Sequence, residues 1–434
     1  MMMKFSVLLP TRNRLELLKY AVETVRRQDY ADWEIIISDN YSEQDIAGYV
    51  KSLQDPRIKY YRTESFIPVT DNWNNALEKS SGDYVTMLGD DDCLMKGYFT
   101  ALLGLINKYD HPDFIYNSAF LYAYPRVMSN FPDGFLEPYG YAEFLRSAKG
   151  PFLLDRKKAI ALAKQSMNFR VLFGYNMQFA VMRRAFIDSF QEKGKFFQSP
   201  YPDYYAMNAM LLKGERILVF PTPLVSIGIS PKSFGYFYFN DSERDGSKFL
   251  KNLPSNEIVD RLQSVLLPGA AYNMSWLFAM ETLKANYGAQ FDLHVNYCRY
   301  RFLQTIHVFQ KYSDNREETK PELLELWNLL HIGEKLAYGY FLRIASLLPG
   351  SFLKKALKRF AAAAGTHPHY KPKRIDGHFE NILEVFEKID PFDRTRKYDL
   401  KLRNSHSHFL KRYVVNLIES LLLNTYYKTR YKRD

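Results

Sequence analysis

Tyr84-Val85-Thr86-Met87-Leu88-Gly89-Asp90-Asp91-Asp92-Cys93-Leu94 is a short apolar run that stops at a glycine and three consecutive carboxylates. An uninterrupted apolar run ended by a breaker predicts a strand buried on both faces of a parallel sheet. The acids then lie at its carboxyl end, the edge where open α/β sheets bind ligands. Three adjacent carboxylates repel one another unless solvent or a cation neutralises them. A hard divalent ion carrying a phosphorylated ligand meets that need. Taken alone, an acidic surface turn capping the next helix explains the triplet equally well.

The sequence upstream repeats the pattern. Phe5-Ser6-Val7-Leu8-Leu9 reads as a strand that stops at Pro10-Thr11-Arg12-Asn13-Arg14, and Leu15, Leu18, Val22 and Val25 then recur at helical spacing to about Gln28. Trp33 to Ser38 is a second strand, with Asp39-Asn40-Tyr41-Ser42 at its end, and Ile58 to Arg62 a third. A helix follows through Asp71-Asn72-Trp73-Asn74-Asn75-Ala76-Leu77, behind a Thr70 or Asp71 cap. Strands alternating with helices of this length predict an α/β domain with a doubly wound, mostly parallel sheet. Three strand ends then converge on one edge: Thr11 to Arg14, Asp39 to Ser42, and Gly89 to Asp92.

Leu9-Pro10-Thr11-Arg12-Asn13-Arg14, Ser38-Asp39-Asn40-Tyr41-Ser42 and Ser81 through Asp92, in that order, resemble the family 2 glycosyltransferases of GT-A fold. The resemblance covers about the first 110 residues well and continues more weakly to about residue 235. It implies a nucleotide-diphospho-sugar donor, with Pro10, Thr11, Arg12 and Asn13 lining the nucleotide pocket. Asp39 accepts the N3 proton of uracil, with Asn40 beside it, and Asn74 and Asp90 also face the donor. It further implies a DxD-type motif binding Mg²⁺ or Mn²⁺, with Asp91 as the leading ligand, Asp90 near the ribose or metal, and Asp92 in support. Gly89 departs from the family's usual leading aspartate. Trp73 stands where many relatives carry an arginine near the phosphates, which leaves that work to Arg12, Arg14 or Lys232. Read without the family, Asp39 is equally an Asx-turn residue and Arg12 a solvated loop charge.

Inverting transfer needs a general base for the acceptor hydroxyl. The family supplies a carboxylate late in the domain, and Gln198-Ser199-Pro200-Tyr201-Pro202-Asp203-Tyr204 fits that place. Met207, Met210 and Leu211 lie at helical spacing beyond it, so Asp203 falls at a helix N-terminus, where capping is its other use. Ile217 to Phe220 reads as a strand. The Gly228-Ile229-Ser230-Pro231-Lys232-Ser233 segment matches a loop that folds over the donor diphosphate in relatives, with Ser230, Lys232 and Ser233 as phosphate donors. Gly174 through Arg184 reads as the strand before the acceptor-binding elements.

The 434 residues suggest two domains: 1–240 as the catalytic domain and 255–434 as a basic α-helical domain for a membrane interface, acceptor or partner. Polar, charged Asn240 to Pro254 marks the boundary. Two cysteines exclude a disulfide framework, and Met1-Met2-Met3-Lys4-Phe5 runs into the first strand with no apolar leader. A cytoplasmic protein, peripheral on the inner face of the cell membrane, is the expectation.

Net charge is +11 and is concentrated late. Residues 351–374 hold seven basic and no acidic residues, and residues 401–434 eight basic against two acidic. The apolar, aromatic segment 335–349, broken by Arg343, is too short to span a bilayer but suits an interfacial helix near anionic lipid. An ordinary helical core with solvated basic faces is the alternative. Tyr426 to Arg433 interleaves tyrosine with cations as single-strand binders do, but no nucleic-acid motif accompanies it, so nucleic acid is not expected as a partner. The reading is an inverting, metal-assisted transferase moving sugar from a UDP-sugar to a saccharide or lipid-linked acceptor in surface polysaccharide or lipopolysaccharide assembly. A relative that binds saccharide or nucleotide without catalysis is the alternative kept open by Gly89 and Trp73.

Overall fold

The computed structural model describes residues 3–139, 142–145, 148–231, 233, 261–347 and 374–393. The chain forms two compact units: residues 1–163, 173–252 and 371–401 make one, and 164–172, 253–370 and 402–434 the other.

The first unit is built on a ten-stranded mixed sheet with helices packed on it. Strands β1 (Phe5–Thr11), β2 (Trp33–Asp39), β3 (Ile58–Arg62) and β4 (Tyr84–Met87) are parallel neighbours in the order β3-β2-β1-β4. All seven residues of β2 are buried, which is why its middle, Ile35-Ile36-Ile37, is apolar without alternation. Parallel pairing aligns Thr11 with Asp39 and Leu8 with Met87, so the three loops after these strands open on one edge. Helix α1 (Leu15–Arg26) follows β1, buries Leu18, Ala21, Val22 and Val25, and returns the chain to β2.

Beyond β4 the sheet turns antiparallel at β9 (Ala180–Arg183), then continues through β6 (Phe114–Ala123) and β10 (Ile217–Ile229) to the short β5 (Cys93–Leu94). Sequence reading ended the strand at Phe220, because prolines follow. The strand instead continues to Ile229 against β6, and its register shifts fall around Pro223, where the missing N–H removes nothing from the ladder. The expected strand at 174–184 is a 3₁₀ turn at Met177–Phe179 followed by β9. Helix α3 (Val69–Glu78) begins at Pro68 with no side-chain cap, not behind Thr70 or Asp71.

A single boundary near 240–255 does not describe the chain. Residues 374–393 return to the first unit: Ile375 donates to Leu136, and the Tyr122 hydroxyl donates to the carbonyl of Phe379 at 2.7 Å. The short helix Ile382–Lys388, capped by Asn381, buries Ile382, Val385 and Phe386 there, and Lys96 donates to the carbonyl of Glu387. Acids return to the sequence from Asp376 onward, but nothing in the composition says which unit receives the stretch.

The second unit is helical, with helices Ala271–Phe291, Tyr297–Asp314 and Arg316–Leu329 followed by a continuous helical segment over 332–345. Its centre holds a buried bidentate pair, Arg301 with Glu334 at 2.7 Å for both contacts. Arg301 also donates to the carbonyls of Val265 and Leu329, which satisfies the guanidinium and ties three segments together. Among the described residues no helix is long and apolar enough to cross a membrane.

Candidate active site

The acid turn is held by its own backbone. Asp92 N–H donates to the Gly89 carbonyl, and the Asp92 carboxylate folds back to accept the Gly89 N–H at 2.9 Å. A Cβ on residue 89 would stand 2.5 Å from Asp92 Oδ2 and 3.2 Å from Asp91 Oδ1. A side chain at the place of the family's leading aspartate would therefore push the Asp92 carboxylate out of its bond to the residue 89 N–H.

Arg14 is shared between Asp90 and Asp91, and the hydroxyl and backbone partners differ from acid to acid. Asp90 accepts from Thr11 Oγ1 at 2.7 Å and from Arg14 Nη1 at 2.8 Å. Asp91 accepts from Ser230 Oγ at 2.5 Å, and Arg14 Nη1 is 3.7 Å away. Asp92 accepts from Gly228 N on one oxygen and from Gln178 Nε2 and Gly89 N on the other, so it has three donors where Asp90 has two. Of the three, Asp92 is the structural pin, and Asp91 is the acid whose protein contacts are fewest.

Among the described residues one guanidinium faces three buried carboxylates, an excess of acids over cations. Burial works against the Arg14 charge, but Asp90, Asp91 and Asp92 together raise its pKa above its already high ordinary value. Burial also pushes the Asp91 carboxyl up, Asp90 adding to this while Arg14 and Ser230 oppose it. The Asp92 carboxyl is pushed up to about 7 by burial and by Asp91.

Gly228 and Gln178 are the partners that sequence reading did not assign. A Cβ on residue 228 would lie 2.0 Å from the carbonyl oxygen of Asp91, so β10 and the acid turn meet backbone to backbone only because residue 228 is glycine. Gly228→Ala is expected to displace the turn and cost about 1–3 kcal/mol of stability, measured as a loss in thermal or urea denaturation. An unchanged denaturation midpoint would contradict this close approach.

The neighbouring loops are cross-tied. Asn13, with φ of 52°, accepts from Glu43 N through its side chain and donates its own N–H to Ser42 Oγ. Asn40 N–H donates to the Thr11 carbonyl, and its side-chain amide is paired with both backbone groups of Ile67. Asp39 is buried, accepting from Ser42 N–H at 2.9 Å and from the Tyr60 hydroxyl at 2.6 Å. It anchors the loop as an Asx turn does. The Arg12 guanidinium lies 3.7 Å from the Phe66 ring centroid.

Asn74 lies away from the role assigned to it. It is buried, and its amide is paired with the backbone N–H and C=O of Phe197, while the Thr70 hydroxyl donates to the Ser199 carbonyl. These bonds fix the loop that leads to Asp203. Trp73 packs edge-on against Phe197 at 5.3 Å, so it is part of the same buttress.

Asp203 is the second residue of the helix Pro202–Lys213. Its Oδ1 accepts from Tyr204 N–H, and burial pushes its carboxyl up to about 7. On either side of it in sequence, the rings of Tyr201 and Tyr204 stack on each other, and Tyr175 lies edge-on to Tyr204. Ser233 is buried, its Oγ accepting from Ser230 N–H. Lys232 and the tail sequences 351–373 and 401–434 lie outside the described residues.

Residues 6–173 match the family model described as glycosyl transferase family 2. Over that region the chain is similar to glycosyl transferase family 2. GalNAc(5)-diNAcBac-PP-undecaprenol beta-1,3-glucosyltransferase of Campylobacter jejuni is 41% identical over 110 residues, 25% of this chain and 36% of the relative. UDP-Glc:alpha-D-GlcNAc-diphosphoundecaprenol beta-1,3-glucosyltransferase WfgD of Escherichia coli is 24% identical over 125 residues, 29% of this chain and 47% of the relative. The matched residues span less than half the length of either. Among solved structures, S. aureus TarS 1-349 is similar with a TM-score of 0.41 and 15% identity, covering 74% of this chain and 90% of that one.

Proposed function

We propose that this family 2 domain transfers a sugar from a UDP-sugar to a saccharide or lipid-linked acceptor, with inversion, in surface polysaccharide or lipopolysaccharide assembly. The observation that carries the reading is the charge imbalance at the acid turn: among the described residues, Arg14 is the one cation that pairs with Asp90 and Asp91, with Asp92 beside them, at the carboxyl edge of the parallel strands. The names of the two relatives supply the chemical class. Both are glucosyltransferases acting on undecaprenyl-diphosphate-linked saccharides, and one names UDP-glucose as donor.

A divalent cation fits this turn, because its donors are hard carboxylate oxygens with uncompensated charge. Among the described residues no three His, Cys, Asp or Glu side chains form a ready ligand set. Asp91, with Asp90 beside it, would therefore hold Mg²⁺ or Mn²⁺ with donor oxygens completing the shell. The chemistry such an ion supplies is neutralisation of the departing diphosphate.

The protein's own groups carry the remaining steps. Arg14 and Thr11 hold Asp90 in place; Ser230 does the same for Asp91. Asp203 takes the proton of the acceptor hydroxyl as its oxygen bonds to the anomeric carbon, and the electron pair of the breaking bond leaves with UDP. Recognition of the uracil N3–H by Asp39 requires the Tyr60 hydroxyl to share or yield Oδ2.

A thermal-shift panel of UDP-glucose, UDP-N-acetylglucosamine, UDP-galactose and GDP-mannose, each with and without Mn²⁺, tests the donor. A UDP-sugar with Mn²⁺ should raise the melting temperature most. Stabilisation by GDP-mannose alone, or by none of them, would overturn the donor reading.

A further inference from the structure

The segment 332–345 of the second unit is apolar on two faces. Tyr338 and Leu342 pack with Phe302, Ile306 and Leu326 in the core of that unit, and Glu334 is fixed by Arg301. The other side carries Ile332, Leu336, Phe341 and Ile344, which are 76%, 71%, 72% and 69% exposed, and Leu347 just beyond, at 68%. Positions 332, 336, 340 and 344 recur every four residues, so they form one stripe, with 341 beside it. A helix with a second apolar face is normally enclosed, and single exposed apolar residues need no explanation while a contiguous row does.

Charge identifies what this face suits. Glu334, the acid of the segment, is buried in its ion pair, whereas Lys335 and Arg343 flank the stripe over the Trp327 ring. From Lys335 through Ile375 the sequence contains no acidic residue, and Lys354, Lys355, Lys358 and Arg359 follow the stripe closely. An apolar row containing an aromatic and bordered by cations without anions matches the headgroup boundary of an anionic bilayer.

We propose that this face docks the protein on anionic membrane lipid. The inference deepens the reading of a lipid-linked acceptor by placing the enzyme at the surface that carries it. It rests on that reading only for its purpose, since vesicle binding requires neither donor nor acceptor.

The test uses the full chain with vesicles of phosphatidylglycerol and phosphatidylcholine, and with vesicles of phosphatidylcholine alone. Co-sedimentation should be at least ~10-fold stronger on the anionic vesicles, in keeping with one apolar face plus several cations. Hydrogen exchange over residues 336–345 should slow when they are added. Phe341→Glu with Ile344→Glu should reduce binding at least ~10-fold, since it opposes both attractions, while the melting temperature and donor-induced thermal shift stay unchanged. Should that variant fail to fold, Ile344→Asn replaces it, with a smaller loss of binding expected.

Failure of the wild type to bind anionic vesicles would overturn the proposal. So would full binding by the variant. A lost donor shift with vesicle binding retained would instead overturn the donor reading and leave this one standing.

Discussion

Asp203→Asn should lower kcat by about 10²–10⁴-fold, the usual contribution of a positioned general base. The loss should come with little change in donor affinity, because Asp203 belongs to a different loop system from the acid turn. With its carboxyl pushed up to about 7 by burial, the wild type should gain activity as pH rises through 7 and then level off. The asparagine variant should lack that limb, and Asp203→Glu should restore part of it. Stability has the opposite sign. A carboxyl raised on folding favours the protonated native state, so its charged form opposes folding above about pH 7 and the opposition vanishes near pH 4. Asp203→Asn should therefore be at least as stable as the wild type at pH 8. A helix cap alone predicts the reverse: lost stability in the variant with the pH profile intact.

Asp91→Asn should reduce metal-supported turnover by about 10²–10³-fold, the several kcal/mol that charge stabilisation at a metal site supplies. Asp91 is chosen because Asp92 is committed to Gly89, Gly228 and Gln178, so its replacement would disrupt the turn itself. Ser230 can still bond an asparagine oxygen at residue 91. The metal-free variant should be no less stable than the wild type: burial and, after it, the Asp91 charge push the Asp92 carboxyl up to about 7, and the substitution removes the second. Titration of Mn²⁺ against initial rate checks the first expectation, and denaturation without metal checks the second. Equal Mn²⁺ dependence in both proteins would remove Asp91 from the site.

The parallel half of the sheet was legible because strands buried on both faces appear as apolar runs, and the acid turn because a breaker and three acids end one of them. The parts that were not legible rest on contacts between distant residues. Asn74 meets Phe197 across 123 positions and Asn40 meets Ile67 across 27, so nothing local distinguishes these amides from donor-facing ones. Gly228 shows its purpose only when β10 runs past Asp91. The short helix Ile382–Lys388 has enough apolar residues to pack, yet its charged setting says nothing about which unit receives it. Gly89 and Trp73 looked like departures from the family pattern. One stands in the tight acid turn and the other in the buttress under the Asp203 loop.

The central claim is that two separate stations, one for metal and diphosphate at Asp91 and one for proton removal at Asp203, divide the work. Calorimetric titration of UDP into the wild type, Asp91→Asn and Asp203→Asn, each with and without Mn²⁺, tests it most directly. Asp203→Asn should bind UDP with the wild-type Mn²⁺ enhancement, whereas Asp91→Asn should lose that enhancement. Loss of the enhancement in Asp203→Asn, or its survival in Asp91→Asn, would contradict the division.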